Sequence, residues 1–278
     1  MDTLNLACTA DPTNSRQPSS ASFRSSLSRV LPLLRSGRKL ERLFFLGSPG
    51  PYLAFPFENL LEVNLINCHF VRPELRHLLQ RCRRLRKFVC AGGATACEVI
   101  QALEPAHSSL EVLGMDLRRW AGPRRLRIPT LEQFVALKVL YIDLICVWDW
   151  RAGNDTDSPP SPDMLFTTLL PESIEEIALF GMGSNAGAYG FEVEAHVSRL
   201  ASDRKENGRF QQLRQLRCQG FWPFGYDVDP RLVANDDIVP RVTALNDAKT
   251  ILEDNGVEVI FDAEGDSDLE FGNIISFY

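Results

Sequence analysis

The sequence predicts an α/β solenoid, a horseshoe of about seven or eight irregular helix–strand repeats with its parallel strands along one side. Three observations predict it. The stretch LLEVNLINC places Leu60, Val63, Leu65 and Cys68 in the register L-x-x-L-x-L-x-x-N/C, the mark of a short strand lining such a horseshoe. Comparable stretches start at residues 40, 60, 85, 110, 137, 174, 213 and 257, and the first four gaps run from 20 to 27 residues. That is in or near the repeat length of about 20–29 residues for this register, and the longer later gaps read as loop insertions. Third, no strand is a continuous Val/Ile run of the kind a sheet covered on both faces wants, so an ordinary α/β sheet is the lesser reading.

Taken in order, residues 1–22 are polar and without apolar period, and read as a disordered tail. Residues 23–264 read as the solenoid, and 265–278 as an acidic tail or C-terminal cap. Leu27, Val30, Leu31 and Leu34 have helical spacing, interrupted by Pro32. Leu40, Leu43 and Phe45 have the strand register. Pro73 suits the first turn of a helix carrying Leu75, Leu78, Leu79 and Cys82. Leu85, Phe88 and Cys90 follow as a strand. Thr95 and Glu98 form a capping box ahead of Ala96, Val99, Ile100 and Leu103. Leu110, Leu113 and Met115 make the next strand. Thr130 then leads into Leu131, Phe134 and Val135, and Leu137, Leu140 and Ile142 follow as a strand.

Insertions are expected near 146–163, 181–190 and 221–240, where Gly, Pro, Ser and Asp accumulate. Between them lie the strands at Ile174, Ile177, Leu179 and at Leu213, Leu216, Cys218, with a helix on Val193, Val197 and Leu200. Leu245, Ala248 and Leu252 predict a last helix, closed by Asn255-Gly256 and followed by the alternating strand Val257, Val259, Phe261.

Composition narrows the class. Apolar residues are 45% of 278, which excludes disorder throughout. There is no run of about 18 apolar residues, so no membrane span is expected. The N-terminus has no secretory pattern and seven cysteines lie scattered through apolar patterns, so the expected location is intracellular, cytoplasmic or nuclear, with reduced thiols. Asn154-Asp-Thr156 matches a glycosylation sequon that such a location leaves unused. Net charge is −6 and unevenly spread: residues 1–140 carry 20 Lys+Arg against 11 Asp+Glu, and residues 141–278 carry 10 against 25. The two parts therefore stand at +9 and −15.

The segments LLEVNLINC, LRKFVCAGG, LEVLGMDLR and LKVLYIDLI resemble leucine-rich repeats of the irregular kind. LLPESIEEIALFG, with its Leu-Pro lead into a strand, is similar to the repeats attached to fungal F-box proteins. The resemblance covers roughly residues 27–262 and implies a leucine-rich-repeat solenoid. No F-box is recognisable before Leu40. A ubiquitin-ligase adaptor is therefore a partner only if an F-box lies outside this chain, and the chain would be a repeat-only relative or a truncated product.

The expected function is non-catalytic protein–protein recognition on a concave strand surface; the alternative is the substrate-receptor part of a cullin-RING ubiquitin ligase. In the register the leucines point inward and the residues between them face the concavity. That row includes Arg42, Phe44, Glu62, Asn64, Lys87, Asp116, Tyr141, Asp143, Glu176, Phe180, Gln215 and Arg217, with Trp148 and Trp150 as aromatic anchors beside it. The partner is a protein of unstated identity.

No enzyme constellation stands out, and neither a cofactor nor a metal is expected. Cys68, His69, His77 and Cys82 approach zinc-ligand spacing, but repeat and helix positions already explain the cysteines. Asp262, Glu264, Asp266, Asp268 and Glu270 alternate like a calcium loop with its glycine misplaced. Two arginine clusters stand apart: Arg81, Arg83, Arg84 and Arg86 with Lys87, and Arg118, Arg119, Arg124, Arg125 and Arg127 around Trp120. They read as a charged rim or as a dock for an acidic protein segment. A pI of about 5.4 and the lack of interleaved aromatics argue against nucleic acid.

Overall fold

A computed structural model describes residues 2–7, 40–46, 58–66, 68, 72–91, 94–116, 128–143, 166–180, 190–219 and 238–262. The chain divides into two compact units, Met1–Arg124 and Arg125–Tyr278.

In the first unit, β1 (Asp2–Ala7), β2 (Leu40–Leu46), β3 (Glu62–Ile66), β4 (Lys87–Ala91) and β5 (Val112–Asp116) pair in parallel and in chain order. Helix α1 (Arg72–Leu79) joins β3 to β4, and α2 (Ala96–Ala102) joins β4 to β5. The register aligns Arg42, Glu62, Lys87 and Val112 across the strands, then Phe44, Asn64, Val89 and Gly114. Leu43, Val63, Phe88 and Leu113 alternate with them and are fully buried. The capping box of α2 forms as expected: Glu98 N donates to Thr95 Oγ1 at 3.2 Å and Thr95 N donates to Glu98 Oε2 at 3.0 Å. Strand β1 falls in the stretch read as a tail; Leu4 and Leu6 align with Leu43 and Phe45 of β2.

In the second unit the parallel strands are β6 (Val139–Asp143), β7 (Glu176–Phe180), β8 (Gln215–Gln219) and β9 (Glu258–Asp262). A 3-10 turn, Phe166–Thr168, precedes β7. Helix α3 (Gly190–Asn207) leads to β8 and α4 (Ile238–Asp254) to β9, and the two helices pack on each other. The stretch after Thr130 forms tight turns, with Phe134 N donating to Leu131 O and Leu137 N to Phe134 O, and it leaves Val135 64% exposed.

The horseshoe is not what the structure gives. Within each unit the parallel strands form a largely flat layer, not a strongly curled one. Four α-helices accompany the strands among the described residues, against seven or eight expected helix–strand repeats. The physical reason lies in spacing. A sheet curls when every strand, about 4.8 Å from the next, carries an element about 8–10 Å wide on its back. Between β6 and β7 the described residues of the connection form a 3-10 turn and no α-helix, a narrower element. The leucine-rich solenoid, its resemblance to F-box-associated repeats and the concave display surface are therefore corrected to an α/β fold of parallel strands, not strongly curled within either unit.

A second correction concerns the strand faces. The residues between the leucines were expected in solvent, yet Glu62, Asn64, Lys87, Val89, Tyr141 and Asp143 are all buried. All five residues of β6 are buried. Both faces of these strands are covered, although no Val/Ile run announced it.

Candidate functional site

The turn from α1 to β4 carries four exposed arginines, Arg81, Arg83, Arg84 and Arg86. Cys82 N donates to Leu79 O at 2.9 Å, and Leu85 N to Cys82 O at 3.2 Å, so Arg83 and Arg84 occupy the two central positions of a β-turn. Leu79, Cys82 and Leu85 are buried and hold the turn from below. Ser109 Oγ lies 2.9 Å from both Arg83 O and Leu85 O and ties the turn to the segment before β5. The arginines between these anchors point outward and are exposed.

Their charges are not equivalent. Arg81 pairs with Glu58 at 3.3 Å and Arg86 with Glu111 at 3.7 Å. Arg83 and Arg84 have no ionic partner among the described residues, nor has Arg76 on the last turn of α1. Neutralised flanks thus leave uncompensated positive charge at a two-residue tip. Guanidinium groups there suit fork-like pairing with carboxylates.

The row of strand residues expected to bind a partner forms a second, buried cluster. Glu62 Oε1 accepts from Asn64 Nδ2 at 3.1 Å and forms an ion pair with Lys87 Nζ at 2.9 Å, and Arg42 Nε stands 3.4 Å from Glu62 Oε2. In-register pairing of β2, β3 and β4 brings these four together. The Glu62–Lys87 pair is desolvated, so losing one partner strands a buried charge. Asn64 Oδ1 has no hydrogen-bond partner among the described residues.

The other expected residues are dispersed. Asp116 is half-buried at the end of β5, Phe44 half-buried on β2, and Tyr141 and Asp143 are buried in β6. Glu176, Gln215 and Arg217 are half-buried, and Gln215 Nε2 donates to Glu258 Oε2 at 2.7 Å. The backbone of Phe180 ends β7. Trp148, Trp150 and the cluster from Arg118 to Arg127 lie outside the described residues.

Two of the buried thiols are poor nucleophiles. Burial pushes Cys82 up to about 12. Burial, then Cys68 and Asp116, push Cys90 up to about 12. Among the described residues no group of three or more His, Cys, Asp or Glu side chains is placed to hold a metal ion. No helix among them is long and apolar enough to cross a membrane. Arg76 and the acidic turn after α4 went unremarked in the sequence; the Glu253-Asp254 pair closing a helix with no basic residue in its last turn was the available signal.

Searches of family models, curated proteins and solved structures match nothing to this chain.

Proposed function

We propose that this chain is a non-catalytic binding protein whose arginine turn, Arg83 and Arg84 with Arg76 beside them, takes an acidic segment of a protein partner. One observation carries the reading: two exposed guanidiniums on a pinned turn lack ionic partners among the described residues, while their neighbours are neutralised. A preorganised turn loses little conformational freedom when it binds. Nucleic acid is disfavoured on two grounds. The chain carries −6 overall, and Val135 is the only exposed large apolar side chain among the described residues, so they offer no exposed aromatic for stacking bases. The location that suits this reading is the cytoplasm or nucleus. Cys68, Cys82, Cys90, Cys97 and Cys218 are thiols rather than disulfides, in keeping with a reducing compartment.

Titration of the full chain with a fluorescent Glu-rich peptide tests the proposal. Binding should be weak, should weaken further with salt, and should be lost in the Arg83→Glu, Arg84→Glu double variant. A double variant that binds the peptide like the parent, or a parent that binds oligouridylate and not the peptide, overturns it.

A further inference from the structure

We infer that the acidic segment seated on the arginine turn is the turn between α4 and β9 of a second copy of this chain. The inference rests on the reading above and names its partner.

The α4–β9 turn is the opposite-charge counterpart of the α1–β4 turn. Helix α4 ends in Glu253 and Asp254, both exposed, with no basic residue in its last turn. Cations usually occupy that position, because unsatisfied carbonyls give a helix C-terminus a partial negative charge. Here two carboxylates add to it. Lys249 stands 3.7 Å from Glu253 across one helical turn, but Asp254 has no ionic partner among the described residues. Glu258, exposed at the start of β9, adds a third carboxylate just beyond the turn.

The acidic turn is as firmly held as the basic one. Val257 N donates to Leu252 O at 3.0 Å and Gly256 N to Glu253 O at 2.9 Å, the paired bonds of a Schellman cap. Gly256 supplies the left-handed residue, with φ of 78°. Leu252 and Val257 are buried beneath it, and Arg204 Nη2 donates to Asn255 O at 2.7 Å. The two tips are of opposite sign, each at a helix-to-strand turn held by its own hydrogen bonds, so neither has to be ordered before they meet. The same asymmetry runs along the whole chain, with +9 on residues 1–140 and −15 on 141–278. Such a contact is heterologous, joining different surfaces of the two copies.

Sedimentation velocity of the full chain over a concentration series tests this. At low salt the weight-average mass should rise with concentration, and in about 0.5 M NaCl it should return to that of the monomer. The Arg83→Glu, Arg84→Glu double variant and the Glu253→Lys, Asp254→Lys double variant should each stay monomeric. Mixed together they should associate again, because each then offers the charge the other lacks. Circular dichroism spectra matching the parent show that both remain folded. A parent that stays monomeric at low salt, or reversed variants that associate as the parent does, overturns the inference. A monomeric parent that still binds the Glu-rich peptide sinks only the inference, whereas one that binds neither sinks the proposed function as well.

Discussion

In the turn between α1 and β4, arginines stand outward on a tip held from beneath by Cys82 and Leu85. In the turn between α3 and β8 they are drawn inward. Arg204 donates to the carbonyls of Phe210 and Asn255. Arg199 lies 3.1 Å from the buried carboxylate of Asp203, and Arg209 lies 3.7 Å from its other oxygen while covering the Phe210 ring. Gly208 and Phe210, with φ of 66° and 54°, curl the chain after the helix, and the Phe210 carbonyl meets Arg204. The difference teaches that arginine-rich turns divide by supply. Where local carbonyls and carboxylates claim the guanidinium it stabilises the fold, and where they do not it is left for another molecule.

Four experiments break or sharpen that contrast. Arg204→Ala leaves the Phe210 and Asn255 carbonyls without their charged donor, and should cost about 2–4 kcal/mol in chemical denaturation. A loss below about 1 kcal/mol would erase the distinction between the two turns.

The second probes the anchor beneath the outward tip. The Cys82 thiol, ordinarily near 9.0, is raised to about 12 in the folded chain. The native state therefore keeps a proton that the unfolded chain releases. Stability from this group is complete below pH 9 and falls between about pH 9 and 12, by about 1.4 kcal/mol at pH 10. Melting curves of Cys82→Ala, which lacks the proton, should decline less steeply over that window than those of the parent.

Removing the hydroxyl in Ser109→Ala should cost about 1 kcal/mol and loosen the tip. Hydrogen exchange at the Leu85 amide should then quicken. Smallest of all, Arg83→Ala with Arg84→Ala should shift stability by no more than about 0.5 kcal/mol, since neither side chain has an ionic partner to lose among the described residues. A larger loss would mean that the tip serves the fold as the Arg204 node does.

Much of the local structure was legible in the residues. The leucine register located β2 to β9, Thr95 and Glu98 marked the start of α2, and Asn255-Gly256 marked the end of α4. These are local signals, read within a few residues of the backbone they specify. The curvature was not legible, because it depends on how many connections become helices, and a leucine register looks the same over a helix or an irregular strap. Nor was the burial of Glu62, Asn64 and Asp143. A strand residue flanked by leucines reads as solvent-facing unless something distant in the chain covers it. The arginine cluster from Arg81 to Arg86 was visible, but the split into neutralised and available charges required Glu58 and Glu111 to be brought alongside by strand pairing.

The strand order has a kinetic consequence. Within each unit every strand pairs with the one that precedes it in the chain, so no pairing waits for a distant segment to arrive. Such a sheet can assemble by stepwise annealing from a single pair, faster than parallel sheets whose neighbours are far apart in sequence. A nascent chain could zip its early strands while the later ones are still being synthesised.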